Sequence, residues 1–208
     1  MFTDRADAGR QLARALAGRL APDALILAIP RGGVLVAAEV ASALGLELDV
    51  VIVRKIGAPG NPEYAIGAID EDGNVIGAPG SLADEAYVGR AAEEGRVEIA
   101  RRVRGYRGDR PAPRITGREV ALVDDGVATG FTLKAAVGSV RARGAQRVVV
   151  AAPVAAPPSA AEIREIAEEV IVLDEPQDFY AVGQFYRDFD QTTDAEVVRA
   201  LAGVWAAE

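Results

Sequence analysis

The chain has 208 residues, half of them hydrophobic and 26% charged, a balance that supports a substantial core and argues against disorder. It holds no cysteine and no histidine, which removes disulfides, thiolate nucleophiles, Cys- or His-ligated metals and every Ser-His-Asp triad. Any metal here is a hard, oxygen-bound ion such as Mg²⁺. The net charge of −8 argues against a nucleic-acid binder but leaves room for a local anion pocket.

In chain order, Met1-Phe-Thr-Asp-Arg reads into an amphipathic helix over 6–20 and not into a signal peptide. With no run of about 18 uncharged apolar residues, no membrane span is expected, and the expected location is cytoplasmic. Ala24–Ile29 reads as a strand buried on both faces, stopped by Pro30-Arg31-Gly32-Gly33. A helix over Val34–Leu44 ends at Gly45. A second buried strand over Leu48–Val53 runs into Arg54-Lys55.

Residues 56–117 interrupt the alternation and read as an insertion. Ile56–Asn61 is a Gly/Pro-rich loop, and residues 65–70 and 74–77 form a hairpin about Glu71-Asp-Gly73. A helix over about 82–105 carries early acids and late arginines. Its arginines at 90, 96, 101, 102, 104 and 107, with those at 110 and 114, read as a solvated face and exit loop. The strand–helix pattern resumes with strands at 119–124, 147–152 and 170–173, helices at 131–143 and 159–168, and a last helix over about 193–206 that holds Trp205. Buried strands alternating with helices mean an α/β fold, a twisted parallel sheet with helices on both faces. Residues 1–208 are expected to form a single domain, in which the aromatic-rich segment 175–190 lacks periodicity.

The chemistry is concentrated in Val120–Thr132. Apolar residues end in Asp124-Asp125, followed by the small-residue loop Gly126-Val127-Ala128-Thr129-Gly130 and the start of a helix at Phe131-Thr132. In a parallel sheet this puts two carboxylates at the C-terminal strand edge, where such sheets bind ligands. The loop's amides and the helix start suit an anion. The implied object carries a phosphate close to vicinal hydroxyls, as a phosphorylated sugar does. No P-loop lysine follows the glycine, and no G-x-G-x-x-G follows a strand.

Val123–Thr132 resembles the phosphoribosyl-pyrophosphate (PRPP) signature of the type I phosphoribosyltransferases. The resemblance implies that family's fold, with an inserted hairpin, loop and helix and a hood-like segment at 175–190. It also implies Mg²⁺-dependent transfer of the 5-phosphoribosyl group from PRPP to a nitrogenous base, with release of pyrophosphate. Asp124 and Asp125 would hold the ribose hydroxyls and the metal, and residues 126–132 the 5′-phosphate. Arg31, Gly32 and Gly33 resemble the pyrophosphate loop, and Arg54-Lys55 the basic pair that contacts pyrophosphate. The 56–62 stretch resembles a mobile loop, with Glu63 beside Tyr64 as a candidate acid. Phe179 or Tyr180 would stack on the acceptor.

Two departures from the family stand out. Ala128 occupies the place where members using hypoxanthine or guanine carry an Asp, and segment 176–186 matches the purine members only loosely. The acceptor base stays open, as does a sensor of the same fold that binds PRPP or a nucleotide without turnover. A phosphohydrolase with Asp124 as nucleophile is disfavoured, because adjacent strand residues point to opposite faces. The family is commonly oligomeric, so a homo-oligomer is an expectation from resemblance alone.

Overall fold

The computed structural model describes residues 1–77 and 85–206, and for Pro62, Glu63 and Tyr64 the backbone alone. The helices α1 (Arg5–Leu16), α2 (Gly32–Leu44), α3 (Glu85–Arg107), α4 (Phe131–Ala142), α5 (Pro157–Arg164) and α6 (Asp194–Trp205) accompany eight strands. Five of these, β1 (Leu25–Ala28), β2 (Glu47–Val50), β6 (Glu119–Val123), β7 (Arg147–Val154) and β8 (Glu169–Asp174), form a parallel sheet in the order β2-β1-β6-β7-β8. The remaining three, β3 (Arg54–Ala58), β4 (Asn61–Ile69) and β5 (Val75–Gly77), form a separate antiparallel sheet.

The strand period of two sorts β1 onto the two faces of the main sheet. Ile26 and Ala28 join the cluster of α1, α2 and α6, while Leu25 and Leu27 join that of α4 and α5. Both faces are therefore covered, which is why these strands are apolar without interruption. Close packing of α1 on α2 needs Gly9, since a Cβ there would lie 2.6 Å from the Val36 carbonyl oxygen.

Several sequence-based boundaries move. The second strand ends at Val50, not Val53: Val51 still donates to the Ala28 carbonyl at 3.0 Å, but the Ile52 amide turns to Glu71 Oε1 at 3.2 Å. The apolar run continues because Val51 and Ile52 stay buried as the chain leaves the sheet. Arg54 and Lys55 therefore open a new sheet and do not close the old one. Ile56–Asn61, expected as a loop, contributes an arm of the β3–β4 hairpin, with Gly60 at φ 76° in its turn. The expected second hairpin is present, pairing Ala68 with Ile76 and Ile69 with Val75. Helix α1 stops at Leu16, short of residue 20, and α5 spans 157–164 where 159–168 was expected.

Arg107 corrects the reading of the insertion helix as uniformly solvated. Arg96, Arg101 and Arg102 do pair with Glu93 and Glu98 on the surface. Arg107 is instead buried, its Nε 2.7 Å from Asp49 Oδ1, its Nη2 donating to the Val50 carbonyl at 2.7 Å, and its Nη1 paired with Glu71. It fastens α3 and the β4–β5 turn to the edge of the main sheet. Burial outweighs the attraction of Arg107 and holds the Asp49 carboxyl above its ordinary range.

Candidate active site

The chain winds from β1 outward to β2 in one direction and through β6, β7 and β8 in the other. The order therefore reverses between β1 and β6, and ligands of open α/β sheets bind at such a point, beyond the C-terminal strand ends. The two motifs meet there. Loop 30–33 leaves β1 and loop 124–130 leaves β6, and the Ile29 amide donates to the Val123 carbonyl at 2.8 Å. The Pro30–Arg31 peptide bond is cis.

Contact between these loops needs glycine. A Cβ on Gly33 would lie 2.8 Å from the Val123 carbonyl oxygen and 2.9 Å from Asp124 Cα, and one on Gly32 would lie 1.9 Å from Asp125 Oδ2. No other residue fits at Gly32 without moving the carboxylate.

The two adjacent acids have different surroundings. Asp124 accepts from the Asp125 amide at 2.8 Å and lines a cleft of about 190 Å³ together with residues 126–133 and Val182. Burial first, and then the charge of Asp125, push its carboxyl well above the ordinary value of 3.8. Asp125 is not among the cleft's lining residues. Its Oδ2 meets Arg5 Nε at 2.7 Å, and its carbonyl accepts from the Tyr186 hydroxyl at 2.6 Å. The Tyr186 phenol is buried beside this acid, and both effects raise its pKa, so it remains a donor.

Loop 126–130 is pinned from behind and open in front. Val127 donates to Val154 at 2.9 Å, Ala156 donates to Val127 at 2.8 Å, and the Ser159 hydroxyl donates to the Ala128 carbonyl at 2.6 Å. Ala128, Thr129 and Thr132 are exposed. Gly130, at φ 67°, takes the N-cap position of α4, where no side chain caps the first-turn amides. Uncapped amides and the helix dipole make this end of α4 suited to an anion.

The other candidates are dispersed. Arg31 lies 3.8 Å from Asp194 Oδ1, and that oxygen also accepts from the Tyr106 hydroxyl at 2.8 Å. Burial first, and then this bond, push the Tyr106 pKa up to about 12. Arg54 and Lys55 are exposed on β3. The backbone of Glu63 lies in β4, but its side chain is outside the described residues. Phe179 packs its ring 5.3 Å from that of Phe185, whereas Tyr180 is 87% exposed. Lys134 pairs with Glu162 on the surface. A larger groove of about 650 Å³ between α3 and the β4–β5 turn holds none of the motif residues.

Four residues at or beside the site escaped the sequence reading: Arg5, Tyr186, Val182 and Asp194. Arg5 and Asp125 are 120 positions apart, and no local periodicity carries such a pairing. Val182 had a weak signal in the small-residue loop, since a Cβ on Gly126 would come within 2.4 Å of its Cγ1.

The fold is an α/β domain whose two motif loops meet at the switch point of a five-stranded parallel sheet. Residues 5–190 match the family model of the phosphoribosyl transferase domain, and the chain belongs to the type I phosphoribosyltransferase family. An inferred phosphoribosyl transferase of Mycobacterium tuberculosis, in strains H37Rv and CDC 1551, is 45% identical over 205 residues. That match covers 97% of this chain and 46% of the relative, so the chain spans about half the length of these relatives. The crystal structure of TT1426 from Thermus thermophilus superposes with a TM-score of 0.89, at 48% identity over 98% of both chains. A purine phosphoribosyltransferase from Pyrococcus horikoshii, 16% identical, shares the fold with a TM-score of 0.51 over 91% of this chain and 93% of its own.

Proposed function

We propose that this domain transfers the 5-phosphoribosyl group of PRPP to a nitrogenous base and releases pyrophosphate. The observation that carries this reading is the meeting of loops 30–33 and 124–132 at the switch point. It sets Asp124 in one cleft with an uncapped helix N-terminus, with Asp125 next to it against Gly32.

In the reaction the bond from C1 of the ribose to pyrophosphate breaks, a bond from C1 to the base nitrogen forms, and that nitrogen gives up its proton. Charge grows on the departing pyrophosphate while the ribose ring turns cationic. The protein's part is positioning and electrostatic stabilisation. Residues 126–132 would hold the 5′-phosphate through backbone amides and the Thr129 and Thr132 hydroxyls. Asp125 would accept from the ribose hydroxyls and Asp124 would face the cleft. Arg31, Arg54 and Lys55 would neutralise pyrophosphate, and Glu63 would act as an acid toward the acceptor or the leaving group. The proton lost by the nitrogen would pass to solvent or to the departing pyrophosphate, and Tyr180 would stack on the acceptor.

The donor set suits Mg²⁺ only as a shared ligand. Among the described residues no group of three or more acidic side chains stands ready to hold a metal. One or two carboxylates plus substrate oxygens is the usual Mg²⁺ arrangement at phosphate sites, and Asp124 and Asp125 fit it. Bound there, the ion would offset charge on the leaving pyrophosphate.

A non-catalytic sensor is the second reading. It is favoured by Ala128, which offers no acid toward a base, and by Phe179, whose ring is engaged in packing. Calorimetric titration of PRPP, with and without Mg²⁺, tests the site on wild type and on Asp124→Asn/Asp125→Asn. Metal-dependent binding, lost in the double variant, is expected, and no binding to wild type would overturn the assignment. Pyrophosphate release with a panel of bases then separates enzyme from sensor. If turnover is found, Asp125→Asn lowers kcat/KM by about 10²–10³.

A further inference from the structure

We infer that Arg5 is a positioning residue for Asp125, holding that carboxylate at the angle from which it reads the ribose 2-hydroxyl. The inference rests on the phosphoribosyl reading above and adds a residue to it. The Arg5 guanidinium is engaged on three sides. Its Nε meets Asp125 Oδ2 at 2.7 Å, its Nη1 donates to the Asp190 carbonyl at 2.9 Å, and its Cζ lies over the Phe189 ring, 3.9 Å from the centroid. The Arg5 side chain is 11% exposed and that of Asp125 15%. A planar, five-donor group is needed for this, because a lysine supplies one point charge and no flat face.

The geometry around Asp125 Oδ2 gives the contact a role beyond packing. Gly32 packs beside this contact so tightly that a Cβ there would lie 1.9 Å from Oδ2 and 2.9 Å from Arg5 Nε. With Oδ2 held by Arg5, the space beside it limited by Gly32, and the main-chain carbonyl held by Tyr186, the carboxylate is restricted in orientation, and its other oxygen would be the one to meet the sugar. Three parts of the chain thus converge on one residue and its partner Arg5: the start of α1, the loop after β1 and segment 186–190.

The last of these is clasped to the N-terminus. Phe2 donates to Phe185 at 2.8 Å, Arg187 to Phe2 at 2.9 Å and Asp188 to Thr3 at 2.9 Å. The Phe2 and Tyr186 rings lie 5.3 Å apart. The clasp delivers Phe189 and Asp190 to Arg5, and Arg5 delivers Asp125 to the sugar.

The test compares ribose 5-phosphate with 2-deoxyribose 5-phosphate by calorimetry on wild type, Arg5→Gln, Arg5→Lys and Asp125→Asn. Both ligands use the phosphate loop, and only one uses a 2-hydroxyl. Wild type is expected to favour ribose 5-phosphate by about tenfold or more, the scale of one hydrogen bond to a charged group. In Arg5→Gln and Asp125→Asn the preference collapses toward unity while 2-deoxyribose 5-phosphate binds as before. Arg5→Lys keeps the charge without the planar fork that reaches Asp125 and Asp190 from two nitrogens, and falls between.

A preference that persists in Arg5→Gln overturns the inference, as does a parallel loss of both ligands, which would mark Arg5 as a fold residue. Should Arg5→Gln not fold, an unchanged preference in Arg5→Lys overturns it. Wild type binding both sugars equally would show that Asp125 does not read the 2-hydroxyl. Wild type binding neither would instead overturn the phosphoribosyl reading itself.

Discussion

At the scale of single residues, the adjacent acids show how position along a strand end divides labour. Asp124 is driven toward its neutral form by burial and by its neighbour, while Asp125 has Arg5 as a counter-charge. A carboxyl whose folded-state pKa is raised contributes stability while protonated, below its unfolded value, and loses that contribution as pH rises through the folded value. Asp124→Asn, which has no charge to bury, is therefore expected to be more stable than wild type at neutral pH by about 1–2 kcal/mol. The gap should widen with rising pH and close toward the ordinary carboxylate value of 3.8. Urea midpoints of both proteins from about pH 4 to 8 check this, and a gap that shrinks as pH rises refutes it. The motif Asp-Asp-Gly was legible in the sequence because it is local. The counter-charge was not, because Arg5 lies on another element.

Among elements, the insertion is where expectation and structure differ most, and Arg107 explains why. Glycine and proline at 57–62 suggest a loop, yet this stretch becomes an arm of a three-stranded sheet once β4 is there to pair with it. Pairing partners outside the window decide such a segment. A surface helix in turn looks solvated wherever arginines abound, but one of them enters the core when two acids wait there. Arg107→Ala leaves Asp49 as a buried carboxylate without its ion-pair partner and Glu71 with only Arg143, and the expected cost is about 3–5 kcal/mol. Denaturant unfolding measures it, and a loss below about 1 kcal/mol, the worth of a surface pair, would show that the cluster is solvated in solution.

For the whole molecule, α6 closes the fold by packing against α2, α3 and β2, with Val197, Leu201 and Val204 buried in the core cluster. Trp205, the sole tryptophan, donates its indole N–H to the Leu48 carbonyl at 2.7 Å, and Arg110 lies 4.6 Å over its ring. Its fluorescence therefore reports the docking of α6 on β2. Fluorescence and far-ultraviolet circular dichroism are expected to give one coincident urea transition. Trp205→Phe, which leaves Leu48 without its donor, should lower stability by about 1–2 kcal/mol. An earlier fluorescence midpoint would instead reveal α6 detaching as a separate unit. No helix among the described residues is long and apolar enough to cross a membrane.

By itself the sequence determined what local patterns can carry. Uninterrupted apolar runs meant strands buried on both faces. The missing cysteines and histidines narrowed the chemistry, and Asp124–Thr132 placed two carboxylates and a small-residue loop at a strand end. Family membership followed from those contiguous residues. Tertiary structure decided the rest. It took Val51–Val53 out of the strand, turned a supposed loop into a sheet, buried Arg107, set Phe179 in a packing cluster, and brought Arg5 and Tyr186 to Asp125 from opposite ends of the chain. The physical reason is range: a periodicity or a turn is set by neighbours a few positions apart. The state of a carboxylate is set by whatever surrounds it in space, and here that came from 120 residues away.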